Sequence, residues 1–423
     1  MTERGGRTDV EEALTQAHRR DWAGVLAATV RVTRDLDLAE EATQDAYARA
    51  MRNWAEHGVP DRPGAWLTTV ARNRATDLLR REQAFRSAMP ALVTADLVPG
   101  PGDLPDPPVF PDDRLRLIFT CCHPALSRDA QVALTLRLVC GLSTAEVARA
   151  FLVQESAMAA RITRAKKKIS GARIPYRVPA RGDLPERVGA VLDVVHLVFT
   201  TGHAAPGKDL LRRHLVDSAI HLARTLHQLL PEDSAVTALL ALLLLTDARR
   251  DTRLSDGGKL VLLAEQDRAH WDSRQIDEGA ALLTEALQRG APTRYAVQAA
   301  IAAVHAEAAT WEDTDWSEVV GLYDVLGRLW PSPVVELNRA VAVGFRDGPA
   351  AGLAALTPLL DEPALGTYAY LSAARADLLR RLGRWAEAAT AYEEAAAMTD
   401  NDVERDFLTG RLEEVVSRLE PPA

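Results

Sequence analysis

Residues 141–170 read GLSTAEVARAFLVQESAMAARITRAKKKIS, and the folding of this stretch decides how the rest of the chain is read. Ser143 stands three residues before Glu146, the spacing at which a hydroxyl and a carboxylate cap the start of a helix reciprocally, and Leu142 with Val147 supplies the apolar staple across the same turn. The pattern predicts a short helix from Thr144, a break at 152–154 and a second helix beyond it. On that second helix Met158, Ile162, Ala165 and Ile169 form one apolar stripe. Ala157, Ala160, Arg161, Arg164 and Lys168 lie opposite. Small residues near the helix start allow close backbone approach, and no acid occurs between Glu155 and Asp183 while eight Lys and Arg do. This is the charge layout of a helix that enters a DNA major groove. A solvated basic face on a protein that never meets DNA has the same look, so the flanking sequence has to decide.

At 423 residues the chain is long enough for two to four domains, and 47% hydrophobic residues can fill several cores. The net charge of −9 hides an uneven distribution. Residues 1–182 carry 27 Lys and Arg against 22 Asp and Glu, whereas 183–423 carry 23 against 37. A basic front half and an acidic rear half call for different partners. Cys121, Cys122 and Cys140 imply no disulfide framework and fit a reducing cytosol, and without a second pair of ligands at metal spacing they read as core thiols. The first residues lack an apolar signal segment, and the most apolar run, 235–245, is far short of the roughly 20 residues that span a bilayer. The expectation is a cytoplasmic protein with no membrane partner.

Residues 9–57 read as helix throughout. Along 38–54 an inner stripe of Ala39, Ala42, Ala46, Ala50 and Met51 is expected, with Glu40, Glu41, Gln44, Asp45 and Arg49 facing out. A loop at 57–64, with two prolines and two glycines, leads into a helix in which Trp66, Val70 and Leu78 are expected inward. Arg72, Asn73, Arg74, Asp77, Arg80 and Arg81 make up its polar side. Between Arg86 and Pro111 there are seven prolines and no further Lys or Arg, the composition of an extended acidic tether. Helical periodicity resumes at 112–138, with Leu115, Ile118 and Phe119, then Val132, Leu136 and Val139, on two helices separated by Pro124.

Two motifs now coincide. AEExxQDxY, from Ala39 to Tyr47, is followed after the loop by WLxxxARNxxxDxxRR, from Trp66 to Arg81. Together they resemble the second conserved region of bacterial sigma factors of the extracytoplasmic-function (ECF) group, and 141–170 then resembles their fourth region. The resemblance covers roughly 9–175. It implies an all-α chain with a region 2 domain at 9–85, a linker at 86–111 and a region 4 helix-turn-helix domain at 112–175. It also implies a factor that catalyses nothing itself, needs no cofactor or metal, and directs core RNA polymerase to promoter DNA through the β′ clamp and β flap. By the same resemblance Glu40, Glu41, Gln44, Asp45 and Arg49 contact polymerase. Asn73, Arg74, Asp77, Arg80 and Arg81 melt and read the minus-ten element, and Ser156, Ala157, Ala160, Arg161 and Arg164 read the minus-thirty-five element. Arg161 and Arg164 are suited to bidentate guanine contacts, and Lys166, Lys167 and Lys168 to phosphates. The chain departs from the family at the turn, where Leu152 and Gln154 replace the usual glycine and Ser/Thr cap.

From 183 to 423 the sequence becomes an Ala- and Leu-rich helical extension. Gly383, Trp385, Glu387, Ala388, Tyr392 and Ala395 resemble a tetratricopeptide repeat, and glycines at 348 and 383 set a period of 35 residues that is clearest over 294–400. Ahead of it, 253–263 carries an Asp-Gly turn between apolar runs, the one hairpin signal here. Asp256, Gln266, Asp267, Arg268 and Trp271 form a candidate regulatory contact for a protein or small-molecule ligand. The alternative is a capped helix over a buried Trp. His196, His203, His214, His221 and His227 cluster in this region without the acids that a metal site needs. The acidic extension could fold back on the basic module or be required for activity. Two other classes remain: a repeat-containing DNA-binding regulator or adaptor that does not join polymerase, and a helical metalloenzyme.

Overall fold

A computed structural model of the chain describes residues 2–88, 113–151, 153–180, 182–203, 207–208 and 210–419, with side chains from Val10 to Arg81 in the first of these stretches. Of the proline-rich tether expected at 86–111, residues 86–88 instead continue the helix Pro63–Ala88, and 89–111 lie outside the described residues, as does the turn residue Leu152. The chain divides into two compact units, 1–197 and 198–423.

The first unit opens with α1 (Thr2–Thr33), α2 (Leu36–His57) and α3 (Pro63–Ala88), each packed on the other two. Asp35 starts α2 by accepting the N–H groups of Asp37 and Leu38 on its carboxylate. Ala39, Ala42, Ala46, Ala50 and Trp54 of α2 are fully buried, and the core they build includes Val25 of α1 with Leu67 and Ala71 of α3. Alanines at this spacing bring the helices close together. Three expectations are corrected. The buried stripe of α3 is Leu67, Ala71 and Ala75, while Trp66, Val70 and Leu78 are half-buried; Trp66 sits at the rim, edge-on to Trp54. Met51 is 59% exposed, whereas Glu40 is buried at 7%.

Next come α4 (Asp113–Cys121), α5 (Arg128–Leu134) with a π turn at Thr135–Val139, α6 (Thr144–Ala150) and α7 (Glu155–Gly171). The reciprocal cap at α6 is formed: Ser143 Oγ accepts the Glu146 N–H, and the Glu146 carboxylate accepts the Ser143 N–H. Leu142 and Val147 are both buried beside it, as are Met158, Ile162, Ala165 and Ile169 along α7. Cys121 and Cys122 lie in the core beneath, where burial pushes both thiols up, Cys122 to about 11. The helix α8 (Leu184–His203) contributes its first part to this unit, where Arg187 donates to the Phe119 carbonyl at 2.7 Å and Asp193 pairs with Arg128 at 2.6 Å.

The second unit is built from α9 (Arg213–Leu229), α10 (Ser234–Asp247), α11 (Ser273–Arg289), α12 (Arg294–Glu307), α13 (Trp316–Leu329), α14 (Pro333–Arg346), α15 (Pro349–Leu356), α16 (Ala369–Arg381), α17 (Trp385–Met398) and α18 (Asp402–Ser417). The apolar α10 packs against α9, α11 and α12, and from α12 onward each helix packs on the next. Where α14 and α15 cross, a Cβ on Gly352 would come within 2.6 Å of the Gly344 Cα, so only glycine permits the approach. The hairpin signal at 253–263 resolves into a single bridge, Leu254 to Leu260, around a tight turn; no named strand occurs among the described residues. Nor is any described helix long and apolar enough to cross a membrane.

Candidate nucleic-acid and partner interface

On the first three helices the acidic and basic residues are interleaved. Arg74 of α3 reaches α2, with Nε 2.6 Å from Asp45 Oδ2 and Nη2 3.6 Å from Glu41 Oε1, which fixes the two helices in register. Gln44 donates to Glu40 at 3.2 Å. Arg49, Asn73, Asp77, Arg80 and Arg81 are exposed. The candidate minus-ten and polymerase residues therefore share one pair of helices, and Arg74 joins the two sets.

On α7, Ser156, Ala157, Ala160, Arg164, Lys167 and Lys168 are exposed. Arg161 is half-buried, donating to Asp129 at 3.2 Å with its guanidinium over the Phe151 ring. Lys166 differs from its neighbours. It is only 9% exposed, and its ammonium lies 2.6 Å from Glu40 Oε2 and 2.7 Å from Asp37 Oδ1. Glu40 also pairs with the Arg137 guanidinium. Burial alone would lower the Lys166 pKa, but Glu40 and then Asp37 outweigh it and hold the ammonium above its ordinary value.

This network closes a wider contact between α1–α3 and the helix-turn-helix. The Trp22 indole N–H donates to the Leu138 carbonyl at 3.1 Å, and the Tyr176 hydroxyl donates to the carbonyls of Ala27 and Asp113. Gly141 (φ +75°) lies so near α1 that a Cβ would meet the His18 ring at 2.8 Å. Sequence reasoning singled out Glu40 and Lys166 for separate tasks and missed Asp37, Arg137, Trp22 and Tyr176. No local signal connects positions more than a hundred residues apart.

In the second unit Gln266 is buried. It accepts from the Thr252 hydroxyl and donates to the Val261 carbonyl, both at 3.1 Å. Asp267 caps the 3-10 turn Arg268–His270, and Arg268 lies over the buried Trp271 ring, 4.9 Å from its centre. Asp267, Arg268 and Trp271 thus make a capped turn over a buried ring, and Gln266 is held beside it by Thr252 and Val261. Asp256 is exposed on the neighbouring turn, whose Gly257, Gly258 and Lys259 line a cavity of about 460 Å³ with Phe407 and Arg411.

A three-helix module followed by a capped helix-turn-helix with a basic second helix defines a two-module transcription initiation factor. Residues 16–85 match Sigma-70 region 2, and residues 116–169 match Sigma-70 region 4. The ECF RNA polymerase sigma factor SigK of Mycobacterium tuberculosis (strain ATCC 25618 / H37Rv) is 30% identical over 160 residues, 38% of this chain and 84% of that protein. Its counterpart in Mycobacterium sp. (strain KMS) is 29% identical over 137 residues, 32% of this chain and 70% of that one. The chain belongs to the ECF sigma factors and carries a C-terminal extension, of which 187–287 match a family of unknown function, DUF6596. An uncharacterised protein of Rhizobium meliloti (strain 1021) is similar along nearly the whole length, 43% identical over 396 residues, 93% of each chain.

Proposed function

We propose that this sigma factor joins core RNA polymerase, directs it to promoters by reading both elements, and is modulated through its C-terminal extension. The observation that carries the reading is the pair of sigma modules in the family's order, the second presenting Ala157, Ala160, Arg164, Lys167 and Lys168 on the open face of α7. Glu41, Gln44, Asp45 and Arg49, with Glu40, are the proposed polymerase contacts. Asn73, Arg74, Asp77, Arg80 and Arg81 act on the minus-ten element. Ser156, Ala157, Ala160, Arg161 and Arg164 read the minus-thirty-five element, with Lys166, Lys167 and Lys168 on phosphates.

Lys166 cannot meet a phosphate while it holds Glu40, so the DNA-bound form is one in which that pair is released. The extension acts as a ligand- or protein-responsive part around Gln266, Asp267, Arg268 and Trp271, with Asp256 at its edge. The test is co-purification of the full chain with core RNA polymerase, followed by promoter-dependent run-off transcription. Stoichiometric association and specific transcripts are expected. DNA binding without polymerase association would overturn the reading in favour of a free-standing regulator.

A further inference from the structure

Among the described residues the left-handed backbone region holds six glycines and two other residues, Arg34 (φ +55°) and Arg173 (φ +52°). Each of the two ends a helix. Arg34 follows α1 and donates its N–H to the Val30 carbonyl at 2.8 Å; Arg173 follows α7, where the next residue, Ile174, donates to the Ile169 carbonyl at 3.0 Å. Glycine is favoured at such helix ends, because a Cβ is strained there. Nor do the carbonyl ends of the two helices require these arginines, since Arg31 and Lys168 already stand in the last turns. Strain of this kind concentrates where side chains serve a ligand.

The two arginines line one cavity. It measures about 520 Å³, lies within the first unit and is formed where the junction of α1 and α2 meets the end of α7. Four cations line it, Arg34, Lys166, Lys167 and Arg173, against two carboxylates, Asp35 and Asp37. Both carboxylates are engaged. Asp35 accepts the N–H groups of Asp37 and Leu38 at 2.8 and 2.9 Å, and Asp37 holds the Lys166 ammonium at 2.7 Å, which Glu40 completes at 2.6 Å. Arg34, Lys167 and Arg173 remain, and their side chains make no hydrogen bond or ion pair among the described residues. Leu36 and Ile169, both buried, add an apolar part to the lining. Unpaired cations around a concave and partly apolar surface suit a ligand with an anionic head and an organic body, and the guanidinium fork matches phosphate oxygens in pairs.

We propose that this cavity binds a small phosphorylated ligand, its phosphates held by Arg34, Lys167 and Arg173. On the proposed function the DNA-bound form releases Lys166 from Glu40 and so opens the cavity, which makes the occupant a free ligand and not the DNA backbone. Isothermal titration of the full chain with inorganic pyrophosphate and with ADP, in magnesium-free chloride buffer, tests the site. Neither DNA nor polymerase is present, so the outcome does not depend on that reading. Saturable one-to-one binding of at least one probe is expected. Tighter binding of pyrophosphate points to a ligand that is mostly phosphate, and tighter binding of ADP to one whose body covers the apolar lining; either supports the site.

Arg34→Gly combined with Arg173→Gly removes both guanidiniums and should fold, because glycine fits both backbones. It should weaken the bound probe at least tenfold. If the double variant does not fold, Lys167→Gln, at an exposed position of α7, decides: a loss of at least threefold is expected, and an unchanged affinity overturns the proposal. No saturable binding of either probe to the native chain, or native affinity in the folded double variant, also overturns it.

Discussion

Lys166 is the residue where the fold and the proposed function make opposite demands. Its ammonium is buried against Glu40, with the exposed Asp37 at its outer side, and Glu40 is shared with Arg137. Removing one member of such a network leaves a buried charge uncompensated, which costs about 3–5 kcal/mol, whereas replacing both partners is far milder. Glu40→Gln is therefore expected to lower the stability of the first unit by that amount in urea denaturation, and Glu40→Gln with Lys166→Met to recover at least ~1 kcal/mol of it. Additive losses would refute the coupling.

The buried histidines give a second expectation. Burial, reinforced by neighbouring arginines, pushes His203 down to about 2 and His305 to about 4, both below the ordinary 6.5. The unfolded chain then binds protons that the folded one refuses, so their contribution is complete above pH 6.5 and is lost as pH falls toward about 4 for His305 and about 2 for His203. At pH 5 each should cost about 2 kcal/mol. Denaturation in chloride buffers at pH 7 and pH 5 measures the loss, and His305→Gln should reduce it by about half.

At the scale of elements, α7 was legible because its stripe depends only on the helical period; Met158, Ile162, Ala165 and Ile169 are buried whatever packs on them. Glu40 was not. Its neighbours in sequence mark it as an outward acid, and the cation that draws it inward lies 126 residues away. The α3 stripe was misread by one position for a related reason: Trp66 is large enough to pack from the rim, while Leu67 takes the centre. The candidate site was legible as two motifs on two elements, but not as one interface.

That interface predicts a change in salt dependence. With Lys167, Lys168 and one arginine on phosphates, the log–log slope for minus-thirty-five DNA should be about −2.7, and with Lys166 released about −3.6. Because the DNA-bound form is the one with that pair released, the native chain is expected at the steeper value and Lys166→Met at the shallower one, and an unchanged slope in that variant would remove Lys166 from the phosphate contacts. In the second unit, Gly352→Ala sets a Cβ against the Gly344 backbone, and the strain of about 1–3 kcal/mol exceeds the propensity gain. Gly321→Ala, in open space within α13, should instead stabilise by up to about 1 kcal/mol. Melting temperatures of the two variants should move in opposite directions.

At the scale of the whole molecule, the change of composition after 182 and the limit of the first compact unit do not coincide. The unit extends to Leu197 and includes the Arg187 and Asp193 contacts with the helix-turn-helix module. A chain ending at 181 loses these contacts and leaves Arg128 unpaired. It should unfold at lower urea than a chain ending at 197, by about 1–2 kcal/mol for the hydrogen-bonded charges alone. Transcription by truncated chains is therefore best compared from 197, where loss or gain of activity reports on the extension and not on a damaged module. Equal stability of the two would remove this distinction.

The shared carboxylate has one more consequence. Whatever takes Glu40 loosens Lys166, which then keeps Asp37 alone, and whatever takes Lys166 loosens Glu40, which then keeps Arg137. Binding on one helix thus changes affinity on the other by the same factor in both directions. On the proposed reading the promoter is more than a destination: by holding Lys166 it acts as an effector that tightens the grip of polymerase on the factor, and polymerase repays the promoter in equal measure.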